Sequence, residues 1–292
     1  LGFLRLGAKA KIFAVDRQHR LAGIRAAIAS GSEAGNDVVS VLIVGHKTNK
    51  TGLQRTRRLF TTLNKTAVPV RKKDIIALDE DDVMAITARR LVESNDDFRD
   101  PRIAVIGSPN IPVGNKTCLT TITNLYDVLK VLFLHKSGNR SDRNLRFNRP
   151  SDDRLDEYYL FATGFFEALG KAFPPVKGVM KNQNPEAVTS TQRGPHGGHL
   201  LFRPIGLELF AKLATSLAKA RAIELDQAVA LLKGTPVDLA KAPYAGVIWD
   251  TGRNTIKTTG KSLALDLLRH MAGLGTRADL LAEYRRTLGS PN

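Results

Sequence analysis

The sequence is short of cysteine, of acid and of long apolar runs, and each shortage removes a class of protein. A single cysteine, Cys118, stands in 292 residues. No disulfide can close within the chain, and no zinc site can be built from a cysteine cluster. The lone thiol reads as a small buried hydrophobe, and such cysteine usage points to a reducing compartment, so a cytoplasmic protein is expected. No apolar stretch approaches the ~20 residues that span a bilayer, which speaks against a membrane protein. The longest apolar stretches, residues 38–44 and 128–134, fit core strands or helices. No signal-peptide pattern opens the chain. The templates G-x-x-x-x-G-K-[ST], G-x-S-x-G and H-E-x-x-H are missing, which removes the phosphate loop, the nucleophile elbow and the zincin site. There is no internal repeat and no low-complexity segment. The first residue is Leu1, inside an apolar and basic stretch, so an upstream portion, and with it the rest of a sheet, is expected.

Against 28 acidic residues stand 44 basic ones, a formal net charge of +16, with an isoelectric point near 10.1. That excess raises the local concentration of phosphate and speeds encounter with polyanions. Nucleic acid or a nucleotide is therefore the expected partner. Hydrophobic residues make up 42% of the chain, enough for a folded core, and the length suits one large or two ordinary domains.

Hydrophobic spacing gives a coarse map. Residues 11–15 read as a short strand, followed by a polar turn and a helix over 21–30. Residues 38–44 (VVSVLIV) read as a buried strand. Helices are expected over 53–64, 79–93, 119–135 and 152–173, with a short strand at 103–106. The 79–93 helix would begin on its acidic run, which suits the positive end of the helix dipole. Residues 137–150 look like a linker or lobe boundary, and 174–198 like a long irregular stretch. Residues 207–222, 225–233, 261–272 and 276–288 read as helices, and 245–249 as a possible strand. The first 136 residues thus look α+β and the remainder mainly helical.

Three clusters carry candidate chemistry. In the first, Asp16, Arg17, Gln18, His19 and Arg20 lie where a strand turns into a helix, and backbone N–H groups at a helix start attract anions. His19 and Arg20 add donors suited to phosphate. Asp16 could cap the helix, hold His19 or bind a metal that accompanies a phosphate. In the second, Arg55, Arg57, Arg58 and Lys65 decorate one helix, on which residues 55, 58 and 62 share a face. The third is Lys136, Arg140, Arg143, Arg146 and Arg149, spaced to follow a phosphate backbone or to lie on a solvated linker. His196 and His199, three apart with no neighbouring Cys or acid, are weak as metal ligands, and no metal site is assigned. The aromatic residues of 158–166 read as core.

The stretch Val15-Asp16-Arg17-Gln18-His19-Arg20-Leu21-Ala22 resembles the D-G-Q-H-R motif of the DndB-like family of bacterial DNA phosphorothioation (sulfur-modification) systems. Residues 55–64 (RTRRLFTTLN), the acidic run 79–82 and residues 198–206 (GHLLFRPIG) are similar to the same family, in the same order. The resemblance implies an α+β fold: a ParB/sulfiredoxin-like α/β lobe over 1–136, then a mainly helical lobe over 137–292. It implies a phosphate-binding turn at Gln18, His19 and Arg20, helped by Arg55 and Arg58, with Asp16 and His19 as the catalytic pair of any nucleotide chemistry. DNA would be held by Arg17, Arg57, Lys65, Arg140, Arg143 and Arg146. The glycine of the motif is Arg17 here, which crowds a tight phosphate cradle or adds a cation. The function implied is that of a DNA-binding accessory or regulatory protein, acting in transcriptional regulation or phage defence. The alternative is an ATP or CTP hydrolase or nucleotide-gated switch working with Mg. Partners implied are DNA, other proteins of the modification system and a second copy of the chain.

Overall fold

The computed structural model describes Gly7 and residues 18–38, 40–41, 43–45, 47, 49–66, 72–112, 114–275 and 277–289. The chain divides into two units, residues 1–69 and 70–292. In the first, helix α1 (Gln18–Ala29) is followed by a 3-10 turn (Glu33–Asn36) and helix α2 (Lys50–Thr66). The expected strand at 11–15 lies outside the described residues. The expected strand at 38–44 is corrected: its described residues form no strand, and Val38, Val41, Ile43 and Val44 are all exposed. A strand needs a neighbour to receive its N–H and C=O groups, and no partner stands beside it among the described residues.

The second unit is built of helices around two small sheets. Helices α3 (Lys72–Leu78) and α4 (Val83–Ser94) lead to a parallel pair, β1 (Ile103–Ala104) with β2 (Thr120–Thr121). Then come α5 (Ile122–Ser137), α6 (Arg143–Phe147), α7 (Asp152–Ala172), α8 (Pro174–Lys181), α9 (Pro185–Gln192), α10 (Pro204–Arg221) and α11 (Leu225–Leu231). An antiparallel pair, β3 (Trp249–Asp250) with β4 (Thr255–Ile256), precedes α12 (Lys261–Met271) and α13 (Leu280–Thr287). The molecule is thus a helix-dominated α+β protein. Among the described residues no helix is long and apolar enough to cross a membrane.

The core of this unit sits on α5 and α10, which pack against each other. Leu125, Leu129, Leu132 and Phe133 of α5 and Leu207, Phe210, Leu213 and Leu217 of α10 are buried, and their 3.6-residue spacing is what the sequence displays. Cys118 is free and fully buried. The core is continuous from Ile76 to Leu280. Residue 137, where a lobe boundary is expected, is the last residue of α5 and lies inside this unit.

Two local expectations are corrected by turn chemistry. The acidic run 79–82 does not open a helix. Asp79 Oδ1 accepts the N–H groups of Asp81 and Asp82, and Asp82 Oδ1 accepts those of Met84 and Ala85, so the run is a turn that ends in an N-cap. Residues 174–192 are not irregular. Pro174 and Pro185 stand at the first positions of α8 and α9, where a missing N–H costs nothing.

Candidate nucleic-acid interface

The first described residues of α1, Gln18 to Arg20, fall within the motif at 16–20 and are helical. The side chains of Gln18, His19 and Arg20, and all of Asp16 and Arg17, lie outside the described residues. Further along α1, Arg25 is exposed.

The start of α2 is fixed by two backbone devices. Asn49 Oδ1 accepts the Gly52 N–H at 2.9 Å, capping the first turn. The Lys47 carbonyl folds back so closely that a Cβ on Gly52 would lie 1.8 Å from its oxygen, so only glycine fits. Beyond this turn, Arg55 and Arg58 stand one turn apart on one face, both exposed, as Lys47 and Lys50 are before them. Among the described residues no carboxylate pairs with any of these cations. Like charges three residues apart repel, and this face carries that cost without internal compensation. The side chains of Arg57 and Lys65 lie outside the described residues.

The cluster at 136–149 behaves differently. Lys136 lies 3.7 Å from Glu157 and over the ring of Phe161. Arg149 donates to Glu80 and Asp152. Arg146 Nε lies 3.7 Å from Asp82 Oδ2, too far for a hydrogen bond but within reach of the charge. Asp82 is buried and also accepts the Tyr126 hydroxyl at 2.6 Å. Burial raises its pKa, against the hydrogen bonds from Tyr126 and the backbone. Arg146 is therefore committed to holding α6 on the buried cap of α4. Arg140 and Arg143 are exposed and carry no ion pair among the described residues.

The glycine-rich stretch around 194–206 is structural. Arg193 donates to the carbonyls of Phe202, Asn115, Cys118 and Leu119, tying the 115–119 loop to the turn at 200–202. Arg203 donates to the carbonyls of Gly194 and Gly197 and lies over the Trp249 ring. His199 Nδ1 accepts the Leu201 N–H, and burial pushes its imidazole down to about 4. His196 is exposed, 3.4 Å from Asn254. Gly206, in the first turn of α10, packs where a Cβ would lie 2.0 Å from the Leu200 carbonyl oxygen, so glycine is required there. Sequence reading missed Arg193. Nothing in an arginine's own neighbourhood marks it as a hub for carbonyls that lie 70 or more positions away in the chain.

Charge divides unevenly along the chain. Residues 1–69 hold 12 of the 44 basic residues and only 3 of the 28 acidic ones, a net of +9. Residues 70–292 hold 32 and 25, a net of +7 over three times the length. Arg25, Lys47 and Lys50 were not singled out from sequence as contacts, although this imbalance was there to find them.

Fold and surface together define a helix-dominated α+β protein whose basic excess is concentrated in its N-terminal unit, where the described cations carry no ion pair among the described residues. The chain belongs to the DndB family, described as DNA-sulfur modification-associated, whose profile matches residues 1–243. That match takes in the whole first unit and most of the second. No curated protein and no solved structure matches the chain.

Proposed function

We propose that this chain is a DNA-binding accessory or regulatory protein of a DNA sulfur-modification system, and that it docks on the phosphate backbone through its first unit. The observation that carries the reading is the set of exposed, unpaired cations Arg25, Lys47, Lys50, Arg55 and Arg58 in a stretch almost without acid. Membership of the DndB family supports it. Arg17, Arg57 and Lys65 add to the same charge, and Gln18, His19 and Arg20 of the motif offer donors suited to phosphate. Arg140 and Arg143 supply a further contact from the second unit. Each phosphate neutralised releases counterions, so affinity falls with salt; such contacts set position rather than read sequence. Docking of this kind suits a regulator of transcription or a component of phage defence.

Fluorescence anisotropy with a duplex across a salt series tests it. Five phosphate contacts predict a log–log slope of about −4.5. Absence of binding at low salt overturns the reading.

A second use of the same motif, resting on its resemblance to the family's D-G-Q-H-R stretch, is holding ATP or CTP with Mg, with Asp16 and His19 orienting metal or water. Catalysis there would be mostly electrostatic positioning. Phosphate release that is lost in His19→Ala supports this use, and release unaffected by that change removes it.

A further inference from the structure

We infer that residues 138–149 of the second unit form a seat for an unpaired base of single-stranded DNA, with Phe147 as the stacking surface and Arg140 and Arg143 on the flanking phosphates. Phe147 is 64% exposed, and it is the one exposed aromatic ring among the described residues. Its neighbours fasten α6 to the fold: Leu145 is buried, and Arg146 reaches the buried Asp82. The ring itself stays outside the core, although burying it would stabilise the fold.

The surroundings of the ring are cationic. Residues 136–149 hold five basic residues and one acid, Asp142. Asp142 lies 2.6 Å from Lys130, so its charge is matched from α5. Arg140 and Arg143 are exposed and carry no ion pair among the described residues. Arg143 and Phe147 stand four apart and share one face of α6. The Arg146 guanidinium lies over the ring, its carbon 5.3 Å from the ring centre. That contact steadies the ring while most of it remains open to solvent.

An open ring among free cations matches a nucleic-acid strand. A base presents a flat face that stacks on an aromatic side chain, and a phosphate follows at every step. In an intact duplex those faces are covered by neighbouring pairs, so the ring selects a single strand or a nucleotide swung out of the helix. An acidic peptide would satisfy the arginines and leave the ring without a partner. The inference rests on the proposed DNA reading for the identity of the polymer, and it gives Arg140 and Arg143 their place in that reading.

The test is fluorescence anisotropy of the full chain with an oligothymidylate, an abasic strand with the same number of phosphates, and an intact duplex. The parent is expected to bind the oligothymidylate about fivefold or more tightly than the abasic strand, the worth of one stacked base. Phe147→Leu should erase that preference and Phe147→Trp should keep it, both with the parent's thermal midpoint and duplex affinity. Arg143→Ala should weaken the oligothymidylate and the abasic strand alike. Equal binding of the two strands by the parent, or an undiminished preference in Phe147→Leu, overturns the proposal. So does an oligoglutamate of equal charge that displaces the oligothymidylate as readily as unlabelled oligothymidylate does. A base preference that persists where the duplex fails to bind supports this seat and removes the first-unit reading alone; duplex binding without a base preference does the reverse.

Discussion

The two units treat charge in opposite ways. In the second, fifteen cations reach a carboxylate, and others, such as Arg193 and Arg203, are spent on backbone carbonyls. In the first, the described cations face solvent with no acid beside them. Apolar side chains divide in the same way. The second unit closes one continuous core, while Ile24, Ile28, Val38, Val41, Ile43, Val44 and Leu53 of the first are exposed. A basic residue in the second unit is mostly part of the architecture. The five described basic residues of the first carry no ion pair among the described residues, which is what the proposed phosphate contacts require.

The largest expected effect comes from the core. Phe210 is fully buried and meets the Phe173 ring edge-to-face at 5.2 Å. Phe210→Ala should cost about 3–5 kcal/mol in a urea melt of the second unit. Ile28→Ala in the first unit, at a side chain 59% exposed, should stay within about 0.5 kcal/mol. A comparable loss at Ile28 would mean that the first unit has a closed core of its own.

Next in size is a pH effect confined to the second unit. His199 is neutral in the fold, its pKa pushed by burial from 6.5 to about 4. Between those values the unfolded chain binds the proton and the folded chain does not. Stability is therefore full above pH 6.5 and declines toward pH 4, by about 3 kcal/mol for a shift of this size. Asp82, whose pKa is raised by burial, acts in the opposite sense just above its ordinary range, so the difference between parent and His199→Asn isolates the histidine. Asparagine can still accept the Leu201 N–H, and its melts at pH 7 and pH 4.5 should lie closer together than the parent's. Equal acid sensitivity in the two proteins would exclude His199 as the cause.

The smallest effect on stability is expected at the proposed interface. Arg55→Ala with Arg58→Ala should change the melting free energy by no more than about 0.5 kcal/mol, or raise it slightly as repulsion is relieved. A large loss would show that these arginines serve the fold.

Much of the second unit was legible in the sequence because its helices carry apolar residues at helical spacing. Leu125, Leu129 and Leu132 mark α5, and Leu207, Phe210 and Leu217 mark α10. What escaped was decided by local hydrogen bonds or distant contacts. Asp79 and Asp82 look like a favourable first helical turn, but their carboxylates capture N–H groups and make a turn and a cap instead. Pro174 and Pro185 look like breakers but start helices. Residues 38–44 have the composition of a strand, yet their described residues form none and find no strand partner among the described residues. For the candidate interface, the sequence displayed the basic excess. It did not display which arginines are already engaged: Arg146 and Arg149 pair with acids 64 and 69 positions earlier, while Arg140 and Arg143 do not.

The contrast between spent and unspent cations can be tested by removing the same charge from each unit. One variant carries Lys50→Ala, Arg55→Ala and Arg58→Ala; the other carries Lys72→Ala, Lys130→Ala and Lys181→Ala, whose cations pair with Asp127, Asp142 and Asp97. The measurement is the salt dependence of duplex binding. The first variant should lose about 3 from the magnitude of the log–log slope, roughly one per phosphate contact, and the second should keep the parent's slope. Equal losses in the two variants would mean that binding follows net charge alone and that the first unit holds no dedicated phosphate surface.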